Sequence, residues 1–319
     1  MRAIAYTEFG DPSVLTLVER EMPEPVAGQV RIKVGAAGLN PIDFKTRRGA
    51  GFVARQIMDS LPWVPGYDVA GVVDAIADPD GRWQVGDRVV GMIGFPLQGG
   101  GYAEYCLADE NDLCAIPDEL DMAHAAAIPL AGLTAWQALF EVGGLREGDK
   151  ILIHAGAGGV GHFAVQFAKA HGAYVIATAS REKHDFLHEI GADETIDYVE
   201  NSFIECCYGL DFVLDTIGGE TGIRSLEVLA PQGVLVTVPT VTADEIIRAA
   251  KEAGIRAQGL TVRPDRLQLD EILEWVDTHD VKVDVTGQYA LTDAAVAHQH
   301  LEEGHVRGKL VLVMDPSMR

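Results

Sequence analysis

A glycine-rich segment in the middle of the chain has the residue types and spacing that suit a bound diphosphate. It reads Gly156-Ala157-Gly158-Gly159-Val160-Gly161. Glycines at these positions let backbone N–H groups approach phosphate oxygens, and a helix start favours negative charge. The apolar run Ile151–Ala155 precedes the segment, a helical pattern follows, and another strand-like run begins at Tyr174. This context predicts a dinucleotide site, with a glycine-rich turn that binds nothing as the alternative.

The residues after the next predicted strand bear on which dinucleotide is bound. Sites for NAD usually carry an Asp or Glu about 20 residues into such a unit, where it binds the ribose hydroxyls. Here the strand ends at Ala179, and the first carboxylate is that of Glu182. The side chains of Ser180, Arg181 and Lys183 suit a 2′-phosphate and favour NADPH. An ordinary exposed helix start with Ser180 as its N-cap is the alternative.

The elements that must position these residues change character near residue 122. Before that point, short alternating apolar runs separated by Gly, Pro and Asp predict a compact, mostly antiparallel β domain. Its predicted strands are Val30–Val34, Val69–Ala75, Arg88–Met92 and Tyr102–Leu107.

From Met122 to Val262, strand-like runs alternate with helical patterns, which predicts a doubly wound parallel sheet. The predicted strands are Ile151–Ala155, Tyr174–Thr178, Thr195–Asp197, Phe212–Leu214, Val234–Val238 and Gln258–Val262. The predicted helices are His162–Ala170, Lys183–Ile190, Gly222–Leu229 and Ala243–Ala253. The segment 202–208 is the least regular connection.

The C-terminal segment breaks this pattern at Arg263-Pro264. It predicts the helices Leu267–Thr278 and Asp293–Glu303, a strand between them and a last strand Lys309–Met314. Because it is too short for a core of its own, we expect it to pack on the first domain. The expected division is 1–122 with 263–319, and 123–262.

The charge of the chain excludes several classes of partner. Asp and Glu number 48 against 25 Lys and Arg, which gives a net charge of −23. Such a surface repels nucleic acids and anionic lipids, so an anionic cofactor must meet a local group of Arg and Lys. No apolar run is long enough to span a membrane, and the N-terminus lacks an apolar signal segment. The four cysteines are too few for a disulfide scaffold, which favours reduced thiols in a cytoplasmic protein.

Seven short motifs follow one another along the chain. They are Gly38-Leu-Asn40-Pro-Ile-Asp43, Pro65-Gly-Tyr-Asp-Val-Ala-Gly71, Val85-Gly-Asp-Arg-Val89, Gly101-Tyr-Ala-Glu-Tyr105, Ile128-Pro-Leu-Ala-Gly-Leu-Thr134, Ala157-Gly-Gly-Val-Gly161 and His305-Val-Arg-Gly-Lys309. In this order they resemble the medium-chain dehydrogenase/reductase superfamily and, within it, the zinc-less quinone oxidoreductase branch similar to zeta-crystallin. The resemblance implies an α/β chain with a GroES-like β-rich catalytic domain, an inserted Rossmann domain and a substrate cleft between them. It also implies a homodimer or a larger assembly of dimers.

The resemblance also implies that no metal is bound. In the zinc alcohol dehydrogenases a Cys stands where this chain has Asn40, and Gly-His-Glu stands where it has Gly66-Tyr67-Asp68. The ligands of a catalytic zinc are therefore missing. A structural zinc needs four closely spaced cysteines, and Cys106 and Cys114 have only each other. We expect all four cysteines to be small packing residues.

Cofactor contacts follow from the resemblance residue by residue. The contacts to a 2′-phosphate fall on Ser180, Lys183 and Tyr198, and Arg307 matches a basic residue that often joins them. The remaining implied cofactor contacts fall on Thr134, Pro239 and Arg263.

The substrate side of the resemblance centres on Asn40-Pro-Ile-Asp43-Phe-Lys45. Many quinone oxidoreductases carry Tyr where this chain has Lys45, and the form found here is more like that of enone and alkenal reductases. The expected reaction is hydride transfer from NADPH to a quinone or an α,β-unsaturated carbonyl without zinc. Donors to the developing oxyanion are Asn40, Lys45 and Tyr67, with Tyr67 or water delivering the proton.

Two other functions stay open from the sequence. One is a non-catalytic NADPH-binding protein with a structural or redox-sensing role, which the polar groups of Asn40, Lys45 and Tyr67 argue against. The other is a zinc-independent alcohol dehydrogenase, which would lack a Lewis acid for the alkoxide. No P-loop, HExxH motif or Ser-His-Asp order favours a kinase or a hydrolase.

Overall fold

The computed structural model describes residues 1–278 and 281–318. By their contacts, these residues divide into two compact units. The first unit contains Met1–Leu130, Arg263–Glu274 and residues 283–318, and the second contains Ala131–Val262 with residues 275–278, 281 and 282. The domain division expected from the sequence, 1–122 with 263–319 and 123–262, stays a prediction.

The N-terminal part of the first unit consists of short strands with three helices. In chain order its elements are β1 (Arg2–Ala5), β2 (Thr16–Glu19), β3 (Gln29–Gly38), α1 (Pro41–Arg47), α2 (Gly51–Ile57), β4 (Asp68–Ile76), β5 (Arg88–Met92), β6 (Tyr105–Asp109), β7 (Leu113–Ala115) and α3 (Met122–Ala126). Helix α1 begins with a proline at its first position, and the Asp43 carboxylate accepts the backbone N–H of Asn40. Both features favour a helix start at this point.

The central part of the chain alternates between strands and helices. Its elements are α4 (Pro129–Trp136), β8 (Lys150–Ile153), α5 (Gly159–Ala170), β9 (Tyr174–Ala179), α6 (His184–Glu189), β10 (Glu194–Asp197), α7 (Phe203–Cys206), β11 (Leu210–Asp215), α8 (Gly219–Arg224), β12 (Leu229–Thr237), α9 (Ala243–Ala253) and β13 (Arg256–Gly259). Helix α4 continues into a π-helical turn at Gln137–Gly143.

The C-terminal part adds α10 (Arg266–Thr278), β14 (Val285–Ala290), α11 (Ala294–Glu303) and β15 (Lys309–Val313). Single 3₁₀ turns lie at Pro12–Val14, Met58–Ser60, Glu110–Asp112, Arg181–Lys183, Ser225–Val228 and Leu291–Asp293.

The described part of the first unit holds a seven-stranded sheet in the order β14-β15-β3-β4-β5-β7, with β6 paired to β3. Its pairings are antiparallel except that of β14 with β15. Strands β14 and β15 come from the C-terminal segment, as the sequence predicted. Strands β1 and β2 form a separate antiparallel pair.

Within its described residues, the second unit contains one six-stranded sheet in the order β10-β9-β8-β11-β12-β13. Every neighbouring pair is parallel. Counted along the chain, this order is 3-2-1-4-5-6, which is that of a doubly wound dinucleotide-binding fold. The predicted fold class is therefore confirmed. The order of strands reverses between β8 and β11, and ligands of such sheets bind at the carboxyl ends of the strands near this point.

Several elements differ from their predicted bounds for local reasons. The predicted helix Gly222–Leu229 is α8, which ends at Arg224 and passes into a 3₁₀ turn. The predicted strand Gln258–Val262 lies earlier in the chain, at β13. Helix α7 has only four residues. Such one-turn elements are stabilised by packing rather than by their own hydrogen bonds. The apolar periodicity of the sequence therefore does not define where they begin and end.

Candidate active site

The glycine loop after β8 is packed too tightly for a side chain at two of its positions. A Cβ atom on Gly161 would lie 2.2 Å from the carbonyl oxygen of Ala155, and one on Gly156 would lie 2.7 Å from the Cβ of Ala177. The loop therefore holds its shape only with glycine at both positions. Helix α5 begins immediately behind it, with Gly158 as its N-cap.

The first turn of α5 offers a set of backbone donors. The Gly158 N–H donates to the Ala155 oxygen at 2.9 Å, and the His162 N–H donates to the Gly158 oxygen at 3.0 Å. The intervening N–H groups, those of residues 159–161, belong to a first helical turn, which has no helical acceptors for them. Together with the close packing of the loop, these donors fit the pyrophosphate of a dinucleotide.

A buried histidine supports the loop from inside the sheet. His154 is 2% exposed, and its Nε2 lies 2.9 Å from the Oγ of Ser225, whose hydroxyl donates to the Thr221 oxygen. Its Nδ1 lies 3.3 Å from the Oγ1 of Thr178, which also accepts the N–H of Ala155. Burial lowers the pKa of His154 to about 4, so the ring is neutral at pH 7. The histidine is a positioning residue for the loop.

The residues predicted to bind a 2′-phosphate lie at two neighbouring strand ends. Strands β9 and β10 pair with Ala179 opposite Asp197, so Ser180 and Tyr198 follow at adjacent positions. Tyr198 is 46% exposed, and Arg181 and Lys183 lie in the 3₁₀ turn after Ser180. The structure thus brings together four residues that the sequence assigned to one group.

The same turn holds a carboxylate that the sequence did not connect to this group. The Ser180 hydroxyl donates to the Oε1 of Glu182 at 2.6 Å. Ser180 is 8% exposed, whereas Glu182 is exposed. A hydrogen bond between residues two apart depends on the turn, so the sequence pattern carried no signal for it.

The remaining strand ends of the second unit are shaped by a buried aspartate. The Oδ1 of Asp215 accepts the N–H groups of Ile217 at 3.0 Å and Gly218 at 2.8 Å, and its Oδ2 accepts the Thr237 hydroxyl at 2.8 Å. Pro239 is half-buried just after β12. We use the name carboxyl edge for the segments after these strands: Gly156–Gly161, Ser180–Lys183, Tyr198, Asp215–Gly218 and Pro239. Thr134, another predicted cofactor contact in this unit, is buried in α4 and lies outside the carboxyl edge as defined here.

In the first unit, Asn40 is held from both sides. It is 1% exposed, and its Nδ2 donates to the Oδ2 of Asp68 at 2.8 Å. Its Oδ1 accepts from the Nζ of Lys309 at 2.5 Å. The amide is therefore fixed in one orientation. Asn40 belongs to a group of five side chains that we name the buried polar cluster: Asn40, Asp43, Asp68, Tyr102 and Lys309.

The charges of the buried polar cluster compensate one another. The Nζ of Lys309 lies 3.6 Å from the Oδ2 of Asp68 and donates to the Leu39 oxygen at 2.8 Å. The Asp68 Oδ1 accepts the N–H of Leu130 at 2.8 Å. Burial raises the pKa of Asp68 and lowers that of Lys309. The sequence reasoning missed Lys309 as the partner of Asn40 and Asp68, although a lysine at the start of the apolar strand β15 was a signal for a buried polar contact.

A second carboxylate in this cluster is also fully engaged. Asp43 accepts the N–H of Asn40 at 2.8 Å, the N–H of Gly66 at 3.3 Å and the hydroxyl of Tyr102 at 3.3 Å. Burial raises the pKa of Asp43 to about 7. The carboxylate fixes the start of α1, as the sequence suggested for this residue.

The other two predicted catalytic residues differ in exposure. Tyr67 is 1% exposed, and its hydroxyl donates to the Pro96 oxygen at 2.9 Å. Lys45 is exposed on α1, and its ammonium group has no hydrogen-bond or ion-pair partner within residues 1–278 and 281–318. Desolvation by neighbouring atoms lowers the pKa of its ammonium group. Of the three predicted residues, only Lys45 presents its polar group at the surface.

Comparison with known proteins places this architecture in a family. The family model described as alcohol dehydrogenase GroES-like domain matches residues 26–118, and the one described as zinc-binding dehydrogenase matches residues 190–312. A 2-methylene-furan-3-one reductase of Solanum lycopersicum is 35% identical, over 98% of this chain and 79% of that protein. The solved structure of the quinone oxidoreductase from Coxiella burnetii is 42% identical with a TM-score of 0.95, over 98% of this chain and 99% of that one. The chain belongs to the quinone oxidoreductase branch of the medium-chain dehydrogenase/reductase superfamily.

Membership in this family makes the chain an oxidoreductase, and the resemblance seen in the sequence is confirmed. The structure of Escherichia coli quinone oxidoreductase complexed with NADPH is 27% identical to this chain, with a TM-score of 0.87 over 98% of this chain and 100% of that one.

Two arginines predicted to contact the cofactor carry acidic partners in the first unit. The Nη1 of Arg263 lies 2.6 Å from the Oδ2 of Asp265. Arg307 donates from Nε and Nη2 to the two oxygens of Asp284 at 2.8 and 3.2 Å. Their roles at the cofactor stay predictions.

The described residues also bear on metal and membrane binding. Within residues 1–278 and 281–318, no three His, Cys, Asp or Glu side chains are grouped as ligands of a metal ion. The independence from zinc stays a prediction. In the same residues, no helix has the length and apolar character that crossing a membrane requires. All four cysteines are free thiols. Cys106, Cys114 and Cys207 are buried, but Cys206 is exposed, so the expectation that all four are packing residues is wrong for Cys206.

Proposed function

We propose that this oxidoreductase uses NADPH to reduce the electron-poor double bond of a quinone or an α,β-unsaturated carbonyl compound, without zinc. The observation that carries the proposal is the carboxyl edge. There, the loop that requires glycine at positions 156 and 161 follows strand β8, and the first turn of α5 supplies backbone N–H donors. Ser180, Arg181 and Lys183 follow the neighbouring strand β9 at the same edge of the sheet.

The residues of the carboxyl edge have separate tasks in holding the cofactor. The N–H groups of residues 159–161 bind the pyrophosphate, and His154 keeps the loop in place. Ser180, Arg181, Lys183 and Tyr198 bind the 2′-phosphate with charge and hydrogen bonds. Thr134, Pro239, Arg263 and Arg307 remain proposed as further contacts. When bound, NADPH supplies the hydride for the reaction.

Lys45 is the residue we assign to the substrate carbonyl. Negative charge develops on that oxygen as the hydride is added to the conjugated carbon, and an ammonium donor stabilises it. Asn40 and Tyr67 are buried and hydrogen-bonded within the protein, so we assign them to positioning. Because the Tyr67 hydroxyl already donates to Pro96, water is the better source of the proton that completes the reduction.

The role of Lys45 is tested by replacing it. We expect Lys45→Ala to lower kcat about a hundredfold, the cost of losing one oxyanion donor, while the affinity for NADPH is retained. Tyr67→Phe removes a hydroxyl that is bonded within the protein, so it should lower kcat far less than Lys45→Ala does. Full activity of Lys45→Ala on every accepted substrate would remove the lysine from the mechanism.

A screen of substrates tests the proposed function itself. NADPH oxidation is followed with quinones, enones and aldehydes, on protein whose zinc content is measured by elemental analysis. We expect turnover of quinones or enones, less than one zinc per ten chains and no loss of rate with a chelator. Turnover of aldehydes alone favours the alcohol dehydrogenase, and binding without any turnover favours the non-catalytic alternative.

The relatives do not decide between the two substrate classes. One is named for a quinone and another for a furanone with a conjugated methylene group. Lys45 favours the carbonyl of an enone, because an ammonium donor suits a single localised oxyanion. A homodimer in the cytoplasm remains our proposal for the assembly and its location.

A further inference from the structure

The carboxyl edge carries features suited to two different nucleotides. Arg181 and Lys183 supply positive charge for a 2′-phosphate, yet Glu182 lies between them in the chain and accepts the Ser180 hydroxyl at 2.6 Å. The Lys183 N–H donates to the Ser180 oxygen at 3.0 Å and closes the turn. The carboxylate is therefore held against the residue that ends the strand.

This contact uses the only proton of the Ser180 hydroxyl. A phosphate group needs that proton as a donor, so NADPH must displace Glu182 from Ser180 or bind without it. The carboxylate also repels the negative charge of the phosphate. A ribose with a free 2′-hydroxyl brings its own donor and can hydrogen-bond to a carboxylate while Ser180 keeps its partner.

We propose that Glu182 is a selectivity-determining residue which admits NADH by offering its carboxylate to the ribose hydroxyls and which weakens the preference for NADPH. The proposal rests on the proposed function, in which this edge binds the adenosine ribose. Neighbouring residues in one turn then have opposite effects. Lys183 favours the 2′-phosphate of NADPH, and Glu182 favours the ribose hydroxyls of NADH.

Paired titrations of two variants test the assignment. NADPH and NADH are titrated into wild type, Glu182→Gln and Asp185→Asn, with binding measured by calorimetry. Asp185 is an exposed carboxylate in the first turn of α6, so Asp185→Asn changes the net charge equally without touching Ser180. For Glu182→Gln we expect NADPH to bind about three- to tenfold more tightly and NADH about three- to tenfold more weakly. The ratio of the two dissociation constants should be unchanged in Asp185→Asn.

A third variant gives an independent readout. Ser180→Ala removes the hydroxyl but keeps the carboxylate, so NADH should bind nearly as in wild type while NADPH weakens. Thermal unfolding confirms that each variant is folded. An unchanged NADPH:NADH ratio in Glu182→Gln would overturn the proposal.

The same titrations separate this proposal from the proposed function. If wild type binds NADPH and the ratio does not respond to Glu182→Gln, only the selectivity role is wrong. If wild type binds neither nucleotide, the proposed function is wrong and the selectivity role falls with it.

Discussion

The carboxyl edge and the buried polar cluster place similar residue types in opposite surroundings. At the edge, Arg181, Glu182 and Tyr198 are exposed on turns that follow strands. In the cluster, Asp68 and Lys309 are buried within strands and are satisfied by each other and by Asn40. Exposed charges contribute little to folding but are available to a ligand, whereas buried charges are costly unless fully paired. The carboxyl edge is therefore suited to the cofactor binding that we propose for it, whereas the buried polar cluster stabilises the fold.

The largest expected effect lies in the cluster. Lys309→Met removes the cation beside Asp68 and leaves a carboxylate buried without its partner, which costs about 3–5 kcal/mol in the free energy of unfolding. Denaturant unfolding measures this loss. Adding Asp68→Asn should recover part of the loss, since the uncompensated charge is gone. A Lys309→Met variant as stable as wild type would show that the cluster does not support the fold.

The next effect lies in the glycine loop. Gly161→Ala would place a Cβ 2.2 Å from the Ala155 oxygen, so the loop must shift and the first-turn donors move with it. We expect the affinity for NADPH and for NADH to fall about a hundredfold or more. Both nucleotides must be affected, because both carry the pyrophosphate. Titration by calorimetry measures the loss, and retained affinity for both would mean that the loop binds no phosphate.

The third effect separates the two nucleotides. A charged hydrogen bond contributes about 1.5–3 kcal/mol, so Lys183→Ala should weaken NADPH roughly ten- to a hundredfold. NADH lacks the phosphate and should be little affected. Lys169→Ala is the control, since Lys169 lies at the far end of α5 and pairs with Asp193. Equal losses for the two nucleotides in Lys183→Ala would contradict a phosphate pocket at this edge.

The smallest effect at any one step of pH is a difference in pH dependence, about 1 kcal/mol for each pH unit. Burial raises the pKa of Asp43 to about 7 and lowers that of His154 to about 4. Folded Asp43 keeps a proton that the unfolded chain releases above pH ~4, so its contribution to stability falls between about pH 4 and 7. In the unfolded chain His154 binds a proton below pH ~6.5, whereas in the folded state it binds one only below about pH 4. The contribution of His154 to the free energy of unfolding therefore rises with pH between these two values.

Two variants isolate these opposite slopes. In wild type, Asp43 makes the free energy of unfolding fall with pH by on the order of 1 kcal/mol per pH unit, and Asp43→Asn should remove this fall. His154 makes the free energy of unfolding rise with pH, and His154→Gln should remove this rise. Unfolding free energies measured between pH 4 and pH 8 give both differences. Slopes of the same sign for the two variants would contradict the protonation states described here.

The carboxyl edge was largely predictable from the sequence, and the cluster was not. The glycine motif and the strand ending at Ala179 carry local signals, because a phosphate loop needs particular residues at particular spacings. The pairing of Asp68 with Lys309 joins residues 241 positions apart. The apolar pattern of a sequence locates strands, but it does not show which distant residue pairs with a charged residue inside a strand. The contact of Ser180 with Glu182 is close in sequence, but it depends on a turn whose shape the pattern did not predict.

The central claim is that hydride passes from NADPH to an electron-poor double bond. The most direct measurement uses NADPH in which both hydrogens at the nicotinamide C4 are replaced by deuterium, together with an α,β-unsaturated ketone. We expect a saturated ketone that carries one deuterium on the carbon β to the carbonyl, detected by mass spectrometry and NMR. A reduced product without deuterium, or no product from any quinone or enone when NADPH is bound, would contradict it.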